Sequence, residues 1–185
     1  MNLSDHNKLQ EYTDDKYSVY SFQQGDGSKV RRITCAGESI CILPFDLNEH
    51  RQVKHVYLAK HDDYITGKPI VTCISDTLNQ DEHDTYLEAV SSCLKNEMGL
   101  TQIDVDDIYF LGKLHHSLPF SKEFRCFGVN LSKFIDSGDF AIAGFKPNPH
   151  VASIEKVRLN RLVKGEVTDS LALSCALLLL SYLSE

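Results

Sequence analysis

The sequence has no C-x-x-C pair, no apolar run long enough to span a bilayer, no internal repeat and no low-complexity tract. Each absence removes a class of protein. Cys35, Cys41, Cys73, Cys93, Cys126 and Cys175 are scattered without zinc-ligand spacing, so neither a zinc module nor a disulfide framework is expected. Most of them sit inside apolar runs, such as SICIL around Cys41 and LSCALL around Cys175. That predicts buried free thiols and a reducing, cytoplasmic setting. The most apolar stretch, 171–183, is too short for a membrane span and predicts a buried C-terminal helix. The opening residues, MNLSDHNKLQEYTDD, lack the basic start and apolar core of a secretory signal. A net charge of -7 argues against non-specific binding to nucleic acid or anionic membranes, although Lys29, Arg31 and Arg32 form one short basic run.

What is present is the composition of an ordinary globular domain: 185 residues, 42% hydrophobic and 24% charged. A chain of this length buries roughly 70% of its unfolded surface, enough for one core without staples. Residues 1–16 are expected as a flexible N-terminal arm and 17–185 as a single domain. YSVYSF and KVRRITCA flank a turn with Gly25 and Gly27 and predict a hairpin over 17–36. SICILPF (39–45) reads as a buried central strand, followed by a polar turn at 46–51 and a partner strand at 52–61. IVTCIS (70–75) predicts one short strand. TYLEAVSSCLKNEMGL (85–100) predicts a helix with Leu87, Val90, Leu94 and Met98 on one face and Gly99 as its stop. Two strands follow, at 103–116 and 124–132, and 134–150 reads as irregular. SIEKVRLNRLVKG (153–165) predicts a helix with Leu159, Leu162 and Val163 on one side and Gly165 as its stop. Thr168 or Asp169 then caps the last helix. Strands interleaved with three helices imply an α/β (α+β) sandwich with a mixed sheet and an N-terminal β-hairpin.

The serial order of these pieces resembles the ADP-ribose pyrophosphatase branch of the Nudix hydrolases. It comprises the hairpin, a strand ending in Leu-Pro-Phe-Asp (43–46), a loop and helix ending in Met-Gly-Leu, and G-E-V-T-D-S-L-A-L (165–173) opening the last helix. The resemblance covers about 17–183 and implies a Nudix-like α/β/α sandwich. The family's signature is G-x5-E-x7-R-E-U-x-E-E-x-G-U, with U a bulky apolar residue. Anchored on Gly99 and Leu100, it places its first glycine on Leu78 and its first glutamate on Asp84. Its Arg-Glu pair falls on Ser92 and Cys93, its Glu-Glu pair on Asn96 and Glu97, and its apolar position on Leu94. The scaffold positions match and most chemical ones do not.

Such a reaction cuts a diphosphate with Mg²⁺, which wants hard oxygen ligands. The family supplies carboxylates at i, i+3 and i+4 on one helix face. Here Cys93 offers a thiol, Asn96 a neutral amide, and only Glu97 a carboxylate. Glu88 lies nine residues before Glu97, about 900° around the helix, and points the opposite way. The resemblance also implies an acidic general base in a later loop, but AGFKPNPH (143–150) contains no Asp or Glu. The signature therefore reads as a vestigial box at Leu78, Asp84, Ser92, Cys93, Asn96 and Glu97.

Individual residues carry two readings each. Glu97 and Asp84 are the candidate metal ligands; the plainer roles are a solvated helix-end acid and a first-turn acid. Cys93 is a candidate nucleophile, against a buried thiol. His115 and His116 are adjacent on a strand and point to opposite faces, which disfavours a shared metal. His50, His55 and His61 show no ligand spacing. Glu123 and Arg125 are candidate ligand-binding residues beside the pocket the resemblance implies, Arg125 through its planar fork or else as a salt bridge. The 17–36 hairpin resembles a segment that relatives use in homodimers. Three functions follow from the resemblance and the altered box. The first is a non-catalytic, regulatory protein that binds ADP-ribose, a related nucleotide or a protein partner. The second is a Mg²⁺-dependent pyrophosphatase with an altered metal site that includes Asp81, Glu82, Asp84 and Glu97. The third is an assembly protein on the same scaffold, which Leu78 in place of a glycine favours.

Overall fold

In a computed structural model of the chain, the apolar run at 39–47 becomes the centre of a mixed sheet. The structure describes residues 8–13, 17–23, 29–35, 38–62, 69–78, 85–116, 120–136, 153–165, 167 and 169–184. The strands are β1 (Lys8–Thr13), β2 (Tyr17–Gln23), β3 (Lys29–Cys35), β4 (Ser39–Leu47), β5 (Val53–Asp62), β6 (Pro69–Thr72), β7 (Ile74–Thr77), β8 (Ile108–His116), β9 (Phe120–Asn130) and β10 (Ser153–Arg158). The helices are α1 (Tyr86–Met98), α2 (Ser132–Asp136), α3 (Leu159–Val163) and α4 (Ser170–Tyr182). The sheet runs β1-β2-β3-β9-β4-β5-β10, with β6 on β5, β7 on β4 and β8 on β9. β9 pairs parallel with both β3 and β4, and the other pairs are antiparallel.

Alternation along β4 builds two cores. Ile40 and Ile42 face α1 together with Tyr57, Phe127 and Val129, against Ala89, Val90, Cys93, Leu94 and Met98. Cys41, Leu43 and Phe45 face the other way, against Leu159 and Leu162 of α3 and Ala172, Cys175, Ala176 and Leu179 of α4. A central strand covered on both faces reads as a continuous apolar run for that reason. The α/β/α sandwich with a mixed sheet and an N-terminal hairpin is therefore the observed fold. Among the described residues no helix is long and apolar enough to cross a membrane.

The α1 boundaries follow local chemistry. Thr85 accepts from the Glu88 backbone N–H, and Glu88 accepts from the Thr85 N–H, forming a capping box. Gly99 closes the helix at φ 71, a conformation glycine adopts without a Cβ penalty. Glu88 thus serves the cap, away from the box positions. Asp169 caps α4 through the Ala172 N–H. Leu87 departs from expectation: it lies in the first turn of α1 and is exposed rather than buried.

Other elements differ because partners distant in sequence decide them. Within the segment expected as a loose arm, Lys8–Thr13 is strand β1, paired to the outer edge of β2. The run 70–75 divides at Cys73, with β6 pairing β5 and β7 pairing β4. Asp46 lies in β4, and the turn begins at Asn48, whose side chain accepts from the His50 and Gln52 N–H groups. The largest correction is at 153–158. This stretch is strand β10, not helix, because the open edge of β5 accepts it along six residues. Only Leu159–Val163 is helical; Leu159 and Leu162 are buried as expected, whereas Val163 is exposed.

Buried Asp46 ties these strands together. Its carboxylate accepts from the His55 backbone N–H at 2.9 Å and from the Tyr57 hydroxyl at 2.9 Å, with His55 Nδ1 at 3.0 Å and Lys156 Nζ at 3.5 Å. Lys156 comes from β10, so one carboxylate links β4, β5 and β10. Burial, followed by donation to Asp46, raises the Tyr57 phenol well above its ordinary value.

Candidate functional site

The site grows from the α1 side of the sheet, at the first turn of α1. Arg125 and Phe127 alternate inward on β9 with Val129, so they share the face that α1 covers. Phe110 is the cross-strand partner of Phe127, with ring centroids 5.5 Å apart. A bulge at Phe110/Gly112 then shifts the register of β8, and Gly112 takes φ 134, a value open to glycine. The extra residue places Lys113 and His115 opposite Arg125 and Glu123. Without it, Leu114 would occupy that polar row.

Glu38 stands two residues before Ile40. Its carboxylate accepts from Arg125 Nη2 at 2.9 Å and Nε at 3.2 Å, and from the Tyr86 hydroxyl. The Arg125 guanidinium carbon lies 4.3 Å from the centroid of the Tyr86 ring. Glu38, through this bond, holds the Arg125 guanidinium above its ordinary value. The Leu78 N–H donates to the Glu38 carbonyl at 2.7 Å, and the Leu78 side chain packs on the α1-side core. Thr85, Tyr86, Leu87, Phe110, Arg125 and Phe127 enclose a groove of about 330 Å³. Its walls are aromatic, and its one charged lining residue, Arg125, is neutralised from behind by Glu38. Such a surface suits a planar ring, which stacks on Tyr86, Phe110 or Phe127 while its polar edge meets Arg125.

A larger cavity, of about 500 Å³, opens at the far edge of the sheet, between β6, β10 and the start of α4. Lys156 and Arg161 face it alongside Glu155 and Asp169. Those groups already serve the fold: Glu155 pairs with Lys60 at 2.9 Å, Lys156 reaches Asp46, and Asp169 caps α4.

The positions aligned with the Nudix signature behave differently from one another. Leu94 is fully buried. Ser92 and Glu97 are half-buried and Asn96 is exposed. Cys93 is only 3% exposed and packs in the α1-side core. Burial, then the nearby charges of Asp76 and Glu97, push its thiol far above the ordinary range, so it is neutral near pH 7. That removes the candidate nucleophile, because the thiolate is the reactive form. A neutral thiol, an amide and one carboxylate do not fit Mg²⁺. Asp84, Asp81, Glu82 and the segment 143–150 lie outside the described residues.

Glu123 pairs with Lys113 at 2.9 Å, which holds its carboxyl below the usual range, and His115 Nδ1 stands 3.8 Å away. Glu123 lies outside the groove lining, whereas Arg125 lies within it as the partner of Glu38. The structure therefore separates two residues that adjacency in sequence had joined. Glu38, Tyr86, Phe110, Phe127 and Asp76 were not singled out from sequence. Only the strand alternation that puts Arg125 and Phe127 on one face was legible there.

No protein-family model matches the chain, and no curated protein matches it. Solved structures do. An ADP compounds hydrolase superposes with a TM-score of 0.59 at 16% identity, covering 97% of this chain and 92% of that one. The chain has the Nudix fold. A mutT/nudix family protein from Listeria innocua gives a TM-score of 0.54 at 14% identity, covering 80% of this chain and 94% of that one. An Ap4A hydrolase from C. elegans, solved as a binary complex, gives 0.51 at 10% identity, covering 80% of this chain and 98% of that one. At these identities the fold is shared while the site residues are this chain's own, and the Nudix scaffold here carries an aromatic groove at the head of α1.

Proposed function

We propose that this protein is a Nudix-fold binding protein without ordinary pyrophosphatase catalysis, taking ADP-ribose or a related nucleotide diphosphate in a regulatory role. The observation that carries this reading is Cys93. At the position where the signature has a metal-binding glutamate, a neutral thiol is sealed in the core. The groove that shares Phe127 with that core, lined also by Tyr86, Phe110 and Arg125, retains what binding a nucleobase needs. The base stacks on the aromatic wall and its polar edge accepts from the Arg125 guanidinium. Structural likeness to a hydrolase of ADP compounds supports the choice of ligand.

A thermal-shift titration with ADP-ribose, with and without Mg²⁺, tests the reading when the same wells are analysed for product. Ligand at a hundred times its dissociation constant stabilises by about 2.7 kcal/mol, a shift of several degrees. The expected result is a shift in both conditions, no AMP or ribose 5-phosphate, and loss of the shift in Phe110→Ala. Phe110 is half exposed, so this variant folds. Mg²⁺-dependent turnover on the order of 1 per second would return the protein to the hydrolases, with Asp76 and Glu97 as its first suspects. No shift at all would leave the scaffold to an assembly role with a protein partner.

The hairpin at 17–36 supports a homodimer. β1 extends it and forms the edge of the sheet, carrying exposed Leu9 and Tyr12. An edge strand with apolar side chains is a natural template for a second copy. Light scattering at micromolar concentration is expected to give about twice the 20.9 kDa chain mass. A monomer mass there removes the dimer.

A further inference from the structure

Three cysteines that lie far apart in the sequence meet beneath α4. Cys41 and Cys126 are register partners on the adjacent parallel strands β4 and β9. Cys175 descends from α4, and its Sγ lies 3.4 Å from that of Cys41. The Sγ atoms of Cys41, Cys126 and Cys175 all fall within 4.8 Å of one another. Cys73, at the break between β6 and β7, is buried in the same core cluster. All four residues are 0% exposed. Among the described residues, no other group of His, Cys, Asp or Glu side chains is gathered in this way.

We propose that Cys41, Cys126 and Cys175 form a structural site for a thiophilic divalent cation, Zn²⁺, between the central strands and α4, with Cys73 of the same core moving in as the fourth ligand when the ion binds. The spacing supports this directly. Zinc–sulfur bonds of about 2.3 Å in a tetrahedron place the sulfurs about 3.8 Å apart. The observed separations, from 3.4 Å to at most 4.8 Å, bracket that edge. The ligands come from rigid elements: two paired central strands, the helix packed on them, and the strand break beside them. A closed, all-thiolate site with no access to water is the structural kind of zinc site. It excludes Mg²⁺ and Ca²⁺, which require oxygen.

The site differs in place and chemistry from the groove at α1, because Cys41, Cys126 and Cys175 belong to the opposite core. Its role is to pin α4 to the sheet. Each bound thiol gives up its proton to solvent as its sulfur coordinates the ion. A disulfide between Cys41 and Cys175 is the competing outcome of the same closeness, and it would consume two of the ligands.

The test uses the full chain, purified under reducing conditions without chelator. About one zinc per chain is expected by elemental analysis. Exchange for Co²⁺ is expected to give thiolate-to-cobalt charge-transfer absorption in the near ultraviolet and the intense visible bands of tetrahedral cobalt. Those bands are expected to vanish in Cys175→Ser and to persist in Cys93→Ala, whose thiol lies in the other core. The cobalt spectrum of the unmodified chain stands even if Cys175→Ser fails to fold. A folded chain that carries no zinc, gives no cobalt spectrum and titrates with all its thiols free in denaturant would overturn the proposal. So would an intact mass lighter by two hydrogens with a Cys41–Cys175 disulfide.

Discussion

Asp46→Ala is expected to cost about 3–5 kcal/mol, as does removing one partner from other buried charge networks. Against a total stability of roughly 5–15 kcal/mol, that is a large fraction. The variant strips the acceptor from the Tyr57 hydroxyl and the His55 N–H, and leaves Lys156 without its buried anion. The Tyr57 side chain is fully buried, so its hydroxyl finds no water in exchange. A urea titration would show the midpoint falling by about 1–3 M at unchanged slope. Asp46→Asn keeps an acceptor for Tyr57 and is expected to lose less. A loss below about 1 kcal/mol in Asp46→Ala would mean that β4, β5 and β10 are held by packing alone.

Cys93→Glu restores the residue type that the Nudix signature has at this position, and it is expected to destabilise the protein rather than revive it. The new carboxylate enters a core position 3% exposed, with Asp76 and Glu97 already beside it. Burial and like charge both raise its folded-state pKa above the unfolded value of about 4.3. The sign follows from linkage. The unfolded state releases the proton more readily, so the penalty is absent below that pKa and grows as pH rises through the folded pKa. At neutral pH the cost is expected to reach about 3–5 kcal/mol, the range for a buried charge left uncompensated. Thermal denaturation at pH 4 and pH 8 separates this from a packing effect, which would be equal at both. Millimolar Mg²⁺ distinguishes the two readings of the box. If Mg²⁺ leaves the pH 8 melting temperature of Cys93→Glu unchanged, the neighbouring acids no longer form a metal site. If it restores stability, the altered-site hydrolase gains ground.

Much of the fold was legible because much of it is decided locally. The stop at Gly99 and the Asp169 cap are fixed by residues within five positions of each other. The continuous apolar run at 39–45 implied a strand buried on both faces, and β4 is one. The segment 153–158 shows the limit. Its sequence tolerates helix or strand, and the free edge of β5, about 95 residues away at the Lys60–Glu155 pair, chose strand. Leu87 shows a second limit, since helical periodicity gives a face but not how much of it is covered.

The sequence by itself determined that this chain folds as an α/β/α sandwich and that the box positions hold Ser92, Cys93 and Asn96. Periodicity carries the mixed sheet with its helices, and the resemblance to the Nudix signature carries the rest. Tertiary structure alone decided the rest. It sealed Cys93 in the core, joined Glu38 to Arg125 across 87 positions, and gathered Cys41, Cys126 and Cys175 from β4, β9 and α4. The reason is common to all three: strand register, not chain distance, sets which side chains meet, and register is a property of the assembled sheet.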